Sequence, residues 1–155
     1  MMVKIILLSG EQNHRCCYCG NSMIYHDFNR KGTIPPNAMT RDHVIPKSYG
    51  GCGYYQNIVI ACRQCNSLRG NVHAHIFYQL IERWKKRNPD FAKTWYSISR
   101  EEHWRYKMEV LFYQSLHLKS RRRESAEDSE RYERFSTYNG KYLSIGRETV
   151  MPRNN

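Results

Sequence analysis

Short β-branched runs alternate with turn residues through the first seventy positions, and a helical period of apolar residues follows. Residues 3–8 (VKIILL) form a brief apolar run, read as a strand or the lead-in to a helical turn. Ser9 and Gln12 have capping-box spacing, which predicts a short helix ending before Cys16. Asn29, Gly32, Pro35 and Pro36 make residues 25–38 loop-like. Met39 to Ile45 is partly β-branched and closed by Pro46, and Ile58-Val59-Ile60 is a second such run. Two antiparallel strands joined by the glycine-rich stretch 48–53 are therefore expected. Arg63 to Arg69 then suits a helix, with Gly70 as its stop. Strand, loop, strand, helix is a minimal ββα unit.

Beyond residue 70 the period changes to 3.6. His73, Ile76, Phe77, Leu80, Ile81 and Trp84 fall on one helical stripe, which Pro89 ends. Ser99 and Glu102 form another capping box. Trp104, Met108, Leu111, Phe112 and Leu116 follow as a second stripe, expected to face the core rather than to stack on bases. A mixed-charge stretch runs from Arg121 to Arg134 and reads as a frayed helix or solvated face. The expected class is α+β, with a small core over 1–71, a helical extension of two amphipathic helices over 72–135, and a polar, disordered tail over 136–155.

Composition narrows the partners. The chain has 155 residues and a net charge of +11. Residues 1–71 contribute +5 and residues 72–155 contribute +6, so the excess is not one basic tail. That balance favours a polyanion, through steering and counterion release. No segment is long and apolar enough to span a bilayer, and residues 3–8 lack the length and cleavage site of a signal peptide.

Cysteine spacing carries the first chemistry. Cys16/Cys19 and Cys62/Cys65 are two Cys-x-x-Cys pairs, and each can aim two thiolates at one tetrahedral ion. In a chain without a secretory leader this spacing favours structural zinc over disulfides. Such a staple answers a need, because a core of this size is marginal on apolar burial alone. Cys17 and Cys52 are spare. Cys17 would replace Cys16 only at a less favourable spacing, and Cys52 lies in the glycine loop as a free thiol.

Between the knuckles runs Thr40-Arg-Asp-His-Val-Ile-Pro-Lys47, followed by Gly50-Gly51, Asn57 and Cys65-Asn66. The ordered set over residues 9–71 resembles the HNH endonucleases of the four-cysteine type found in bacteria and phages. That resemblance implies a ββα-metal fold, metal-dependent hydrolysis of DNA phosphodiesters, and a cytoplasmic location in a bacterium or an infected host cell. It also implies that Asn57 orients the base by bonding across the loop to the His43 segment.

The residues agree on chemical grounds. An imidazole with an ordinary pKa near 6.5 is a suitable general base at neutral pH, so His43 is the expected activator of water. Asp42, its neighbour on a strand, points to the other side and is expected to hold a catalytic divalent cation with Asn66. One carboxylate and one amide suit Mg²⁺, which keeps several waters. Arg41, Lys47, Arg63 and Arg69 lie close to the motif and are expected to contact phosphates. The other histidines, His14, His26, His73, His75, His103 and His117, read as ordinary surface or core residues. The competing reading is a non-catalytic, zinc-stabilised module that binds nucleic acid. RNA ranks behind DNA as partner because no RNA-recognition motif is visible.

Overall fold

The computed structural model describes residues 10–29, 31–51, 53 and 57–121, the last five by backbone alone. The expected strand at 3–8, the Ser9 cap, Cys52, the charged stretch after Arg121 and the tail 136–155 lie outside the described residues.

Strand β1 (Met39–His43) pairs antiparallel with β2 (Ile58–Cys62), in a register that sets Met39 against Cys62 and His43 against Ile58. Every residue of β2 is buried, as its sequence IVIAC requires. A two-stranded ribbon is marginal alone. Here the amide of Gln12 completes it, donating to the Ile60 carbonyl at 2.8 Å and accepting from the Ile60 N–H at 2.9 Å. The Cys17 N–H adds a bond to the same carbonyl at 3.2 Å.

Helix α1 (Arg63–Arg69) starts directly from β2. The Cys62 sulfur caps it by accepting from the Cys65 N–H at 3.4 Å, and Gly70, at φ 58°, ends it by donating to the Asn66 carbonyl. That positive φ is the reason for glycine at the stop. Helix α2 (Ala74–Arg87) buries Phe77, Leu80, Ile81 and Trp84 of the expected stripe and Ala74 besides, while Ile76 and the N-cap His73 are half-buried. A short helix α3 (Phe91–Thr94) and a 3-10 turn over Trp95–Ser97 lead to α4 (Arg100–Arg121). The Ser99 capping box forms in both directions: Glu102 N–H donates to Ser99 Oγ at 3.1 Å, and Ser99 N–H to the Glu102 carboxylate at 2.8 Å.

One core runs from the knuckle residues to α4. Tyr18 meets Phe77 edge-on at 5.1 Å, Trp84 lies 4.4 Å from Tyr106, and Phe91 stacks on Trp95 at 4.4 Å. Lys107 of α4 reaches back to the terminal carbonyls of α1, Ser67 and Leu68.

The second stripe departs from expectation. Trp104, Met108, Leu111, Phe112 and Leu116 are 41–62% exposed, so they do not face the core. α4 packs instead through Val110, which is buried, with Tyr106 and Tyr113 partly buried beside it. The helix has apolar side chains on both faces, and the aromatic core accommodates only one of them. No helix among the described residues is long and apolar enough to cross a membrane.

Candidate functional site

Four sulfurs define the first centre. Sγ atoms of Cys16, Cys19, Cys62 and Cys65 all lie within 4.8 Å of one another, and all four residues are buried. Thiolates around a tetrahedral zinc at about 2.3 Å stand roughly 3.8 Å apart, and Cys19 and Cys62 are separated by 3.9 Å. None of the five described cysteines forms a disulfide. Gly20, at φ 77°, closes the first knuckle by donating to the Cys16 carbonyl at 3.0 Å.

Burial pushes the Cys62 and Cys65 thiols well above their ordinary value. Cys16 is also buried, yet bonds from Cys17, Cys19, Cys62 and Cys65 hold it well below that value. Four buried sulfurs gathered at this spacing fit a structural zinc ion, and these four residues would hold it. Tyr96, whose hydroxyl is 4.0 Å from the Cys19 sulfur, borders the cluster and was not flagged by any spacing signal. Cys17 is buried but is not a member of the four-sulfur cluster.

The second centre lies at the C-terminal end of β1. His43 is half-buried, and burial, then Lys47, Arg41 and Arg69, lower its pKa from the ordinary value. Its backbone is clamped from two directions. Arg69 donates to the carbonyls of His43 at 2.7 Å and Val44 at 2.9 Å. Asn57 accepts from the Ile45 N–H at 2.8 Å, donates to the Ile45 carbonyl at 3.0 Å, and through its own carbonyl receives the Val44 N–H. Asn57 therefore bonds across the loop to Val44 and Ile45, the two residues after His43.

Strand alternation puts Asp42 on the opposite side, where it is buried at 5% exposure. Both of its oxygens are engaged. Tyr18 donates to Oδ2 at 2.7 Å, and the Arg69 guanidinium forms an ion pair with Oδ1. Burial raises the Asp42 pKa despite the opposing pull of Arg69 and Tyr18.

Asn66, half-buried on α1, directs its Nδ2 to Thr40 Oγ1 at 3.0 Å and to the Arg41 carbonyl at 3.1 Å. In this arrangement the pair expected to hold a catalytic cation does not fit one. Asp42 is spent on two donors inside the core, and Asn66 ties the start of α1 to β1.

The basic residues divide. Lys47 and Arg63 are exposed and Arg41 is half-buried. Arg69, expected at phosphate, is only 1% exposed, with its guanidinium spent on Asp42 and two carbonyls. Its position three residues past Asn66 faces α1 into β1, so it acts as an internal clamp. Residues 16–71 match the model of the HNH endonuclease family. That match takes in both cysteine pairs, Asp42, His43, Asn57 and Asn66. No curated protein and no solved structure matches the chain. The HNH domain, with its four-cysteine centre, points to a nuclease or other nucleic-acid-related function with a metal site.

Tyr18, Gln12, Thr40 and Tyr96 were not legible as site residues. Tyr18 lies inside the first knuckle, where the cysteines on either side dominate the pattern, and only the fold brings its hydroxyl to Asp42.

Proposed function

We propose that the chain is an HNH endonuclease that hydrolyses phosphodiester bonds of DNA, with His43 as general base. The observation that carries this reading is the situation of His43: a half-exposed imidazole with a lowered pKa, on a backbone clamped by Asn57 and Arg69. A neutral ring at neutral pH accepts a proton from water, and a fixed backbone presents it in one place. Water then attacks phosphorus, the bond to the 3′ oxygen breaks, and a 5′ phosphate and a 3′ hydroxyl result. Arg41 and Lys47 bring positive charge to that strand end and would hold phosphates without reading bases, while Arg63 sits at the Met39 end of the ribbon, where it could hold a phosphate farther along the backbone.

A divalent cation such as Mg²⁺ belongs to this reading for the charge it supplies at phosphorus and the leaving oxygen. The holders expected for it, Asp42 and Asn66, do not fit one. Since Asp42 is committed to Arg69 and Tyr18 as arranged, no step is assigned to it.

The same ion pair favours the second reading, a zinc-stabilised module that binds nucleic acid without cutting it. Plasmid nicking separates the two. Supercoiled DNA is incubated with the protein and Mg²⁺, Mn²⁺ or Ni²⁺. Wild type is expected to relax it, and His43→Ala to leave it intact while retaining zinc and DNA binding. A wild-type protein inert with every cation, on duplex and single-stranded DNA alike, establishes the binding module instead.

A further inference from the structure

Both cysteine knuckles are tied to one short stretch of chain outside the HNH match, helix α3 and the 3-10 turn that follows it. Asn21 closes the first knuckle, its carbonyl accepting from the Cys16 N–H at 2.9 Å, and its side-chain amide donates to the Ala92 carbonyl at 2.7 Å. Gln64, buried between Cys62 and Cys65, donates to the carbonyl of Trp95. Trp95 is fully buried and stacked on Phe91, so the stretch is anchored from beneath. The next side chain, Tyr96, is half-buried and brings its hydroxyl to 4.0 Å from the Cys19 sulfur. The Cys62 side chain engages the same hydroxyl. We propose that Tyr96 is a hydrogen-bond donor to the thiolates of the zinc centre and that Asn21 and Gln64 hold it there. The helical extension thereby governs how firmly the HNH core keeps its metal.

Charge gives the physical reason. Four thiolates around one divalent cation carry a net negative charge, and the four cysteines here are at most 4% exposed. Charge withdrawn from water is costly unless hydrogen bonds satisfy it. The Cys62 sulfur receives the Cys65 N–H at 3.4 Å. Tyr96 brings a donor to the Cys19 side of the cluster. A thiolate can only accept, and a phenol with an ordinary pKa of about 10 keeps its proton at neutral pH, so the direction of the bond is fixed. Such a donor stabilises the anionic cluster and opposes the protonation of sulfur that releases metal.

The test uses the full chain loaded with zinc and, in parallel, with cobalt(II), whose sulfur-to-metal absorption band reports the charge on the thiolates. Tyr96→Phe keeps the ring and removes only the hydroxyl. It should speed zinc transfer to a chromogenic pyridylazo chelator by about tenfold or more, the usual effect of removing a partner of a metal ligand. In the cobalt form the band should move to lower energy, because a thiolate without its donor gives up an electron more readily. Asn21→Ala keeps the hydroxyl and cuts the tether to Ala92, so it should speed transfer by a smaller factor. A ring that only packs leaves both readouts unchanged in Tyr96→Phe, and that result overturns the proposal. Faster transfer with an unmoved band makes Tyr96 a cover over the cluster and overturns its role as donor. An Asn21→Ala rate equal to wild type overturns the tether. A chain that takes up neither metal overturns the sulfur centre and the proposal together. None of these readouts depends on cleavage, so failure here is distinct from failure of the nuclease reading.

Discussion

The phenol of Tyr18 donates a hydrogen bond to Oδ2 of Asp42 across 2.7 Å, with both side chains buried. Tyr18 stands between two cysteines of the sulfur cluster, and Asp42 is the neighbour of the candidate base. The bond thus joins the sulfur centre to β1. Tyr18→Phe leaves that carboxylate short of one partner in the core. It should cost about 1–3 kcal/mol of stability, the value of a buried bond to a charged group. Denaturant unfolding of a fully zinc-loaded sample measures this, with zinc stoichiometry unchanged.

Arg69 and Asp42 form a buried ion pair, and removing one partner strands the other. Arg69→Leu should destabilise the protein by about 3–5 kcal/mol. Combining it with Asp42→Asn should recover part of that loss, since no unpaired charge then remains. A double-mutant cycle from equilibrium melts gives the coupling. If Asp42 were instead an open metal ligand, Asp42→Asn alone would alter metal dependence and leave the melt nearly unchanged.

For His43 the sign of the pH effect follows from its lowered pKa. In the proposed reaction the neutral ring is the active form, and burial with Lys47, Arg41 and Arg69 keeps it neutral to lower pH. The acidic limb of the cleavage rate should therefore have a midpoint below the ordinary 6.5. Lys47→Met, which removes one of those charges, should move the midpoint up. Protonation also works against the fold: any contribution of His43 to stability is lost as pH falls from the unfolded value through the folded one. The pH profile of plasmid nicking, taken beside thermal melts at each pH, separates the two effects.

The sulfur centre predicts a contrast between neighbours. Cys62→Ser removes a ligand and the cap of α1 together, so zinc binding should fall and the melting transition should drop or vanish. Cys17→Ser should keep full zinc stoichiometry, because Cys17 is outside the cluster. Metal analysis of the purified variants, with a chelator titration, is the measurement.

Local chemistry made much of the molecule legible. Cys-x-x-Cys spacing, the β-branched runs beside Pro46 and before Arg63, the Gly70 stop and the Ser99 capping box are short-range features. Each acts within a few residues, so each leaves a mark in the chain. The buried face of α2 was equally readable, because one side of that helix is apolar and the other is not.

What tertiary structure alone decided depends on which surfaces meet. α4 is apolar on two sides, and periodicity cannot say which of them the core takes; packing against Trp84 and Trp95 selected Tyr106, Val110 and Tyr113 and left Trp104 outside. Arg69 looked like a phosphate contact because its charge was visible and its burial was not. Asp42 looked available because nothing near it in sequence announces Tyr18, twenty-four positions earlier. Sequence by itself determined the four-cysteine set and the strand–strand–helix order of the core, since those follow from residue type and spacing. The fold decided which charges are spent internally, because that is settled by partners that are distant along the chain and adjacent only in space.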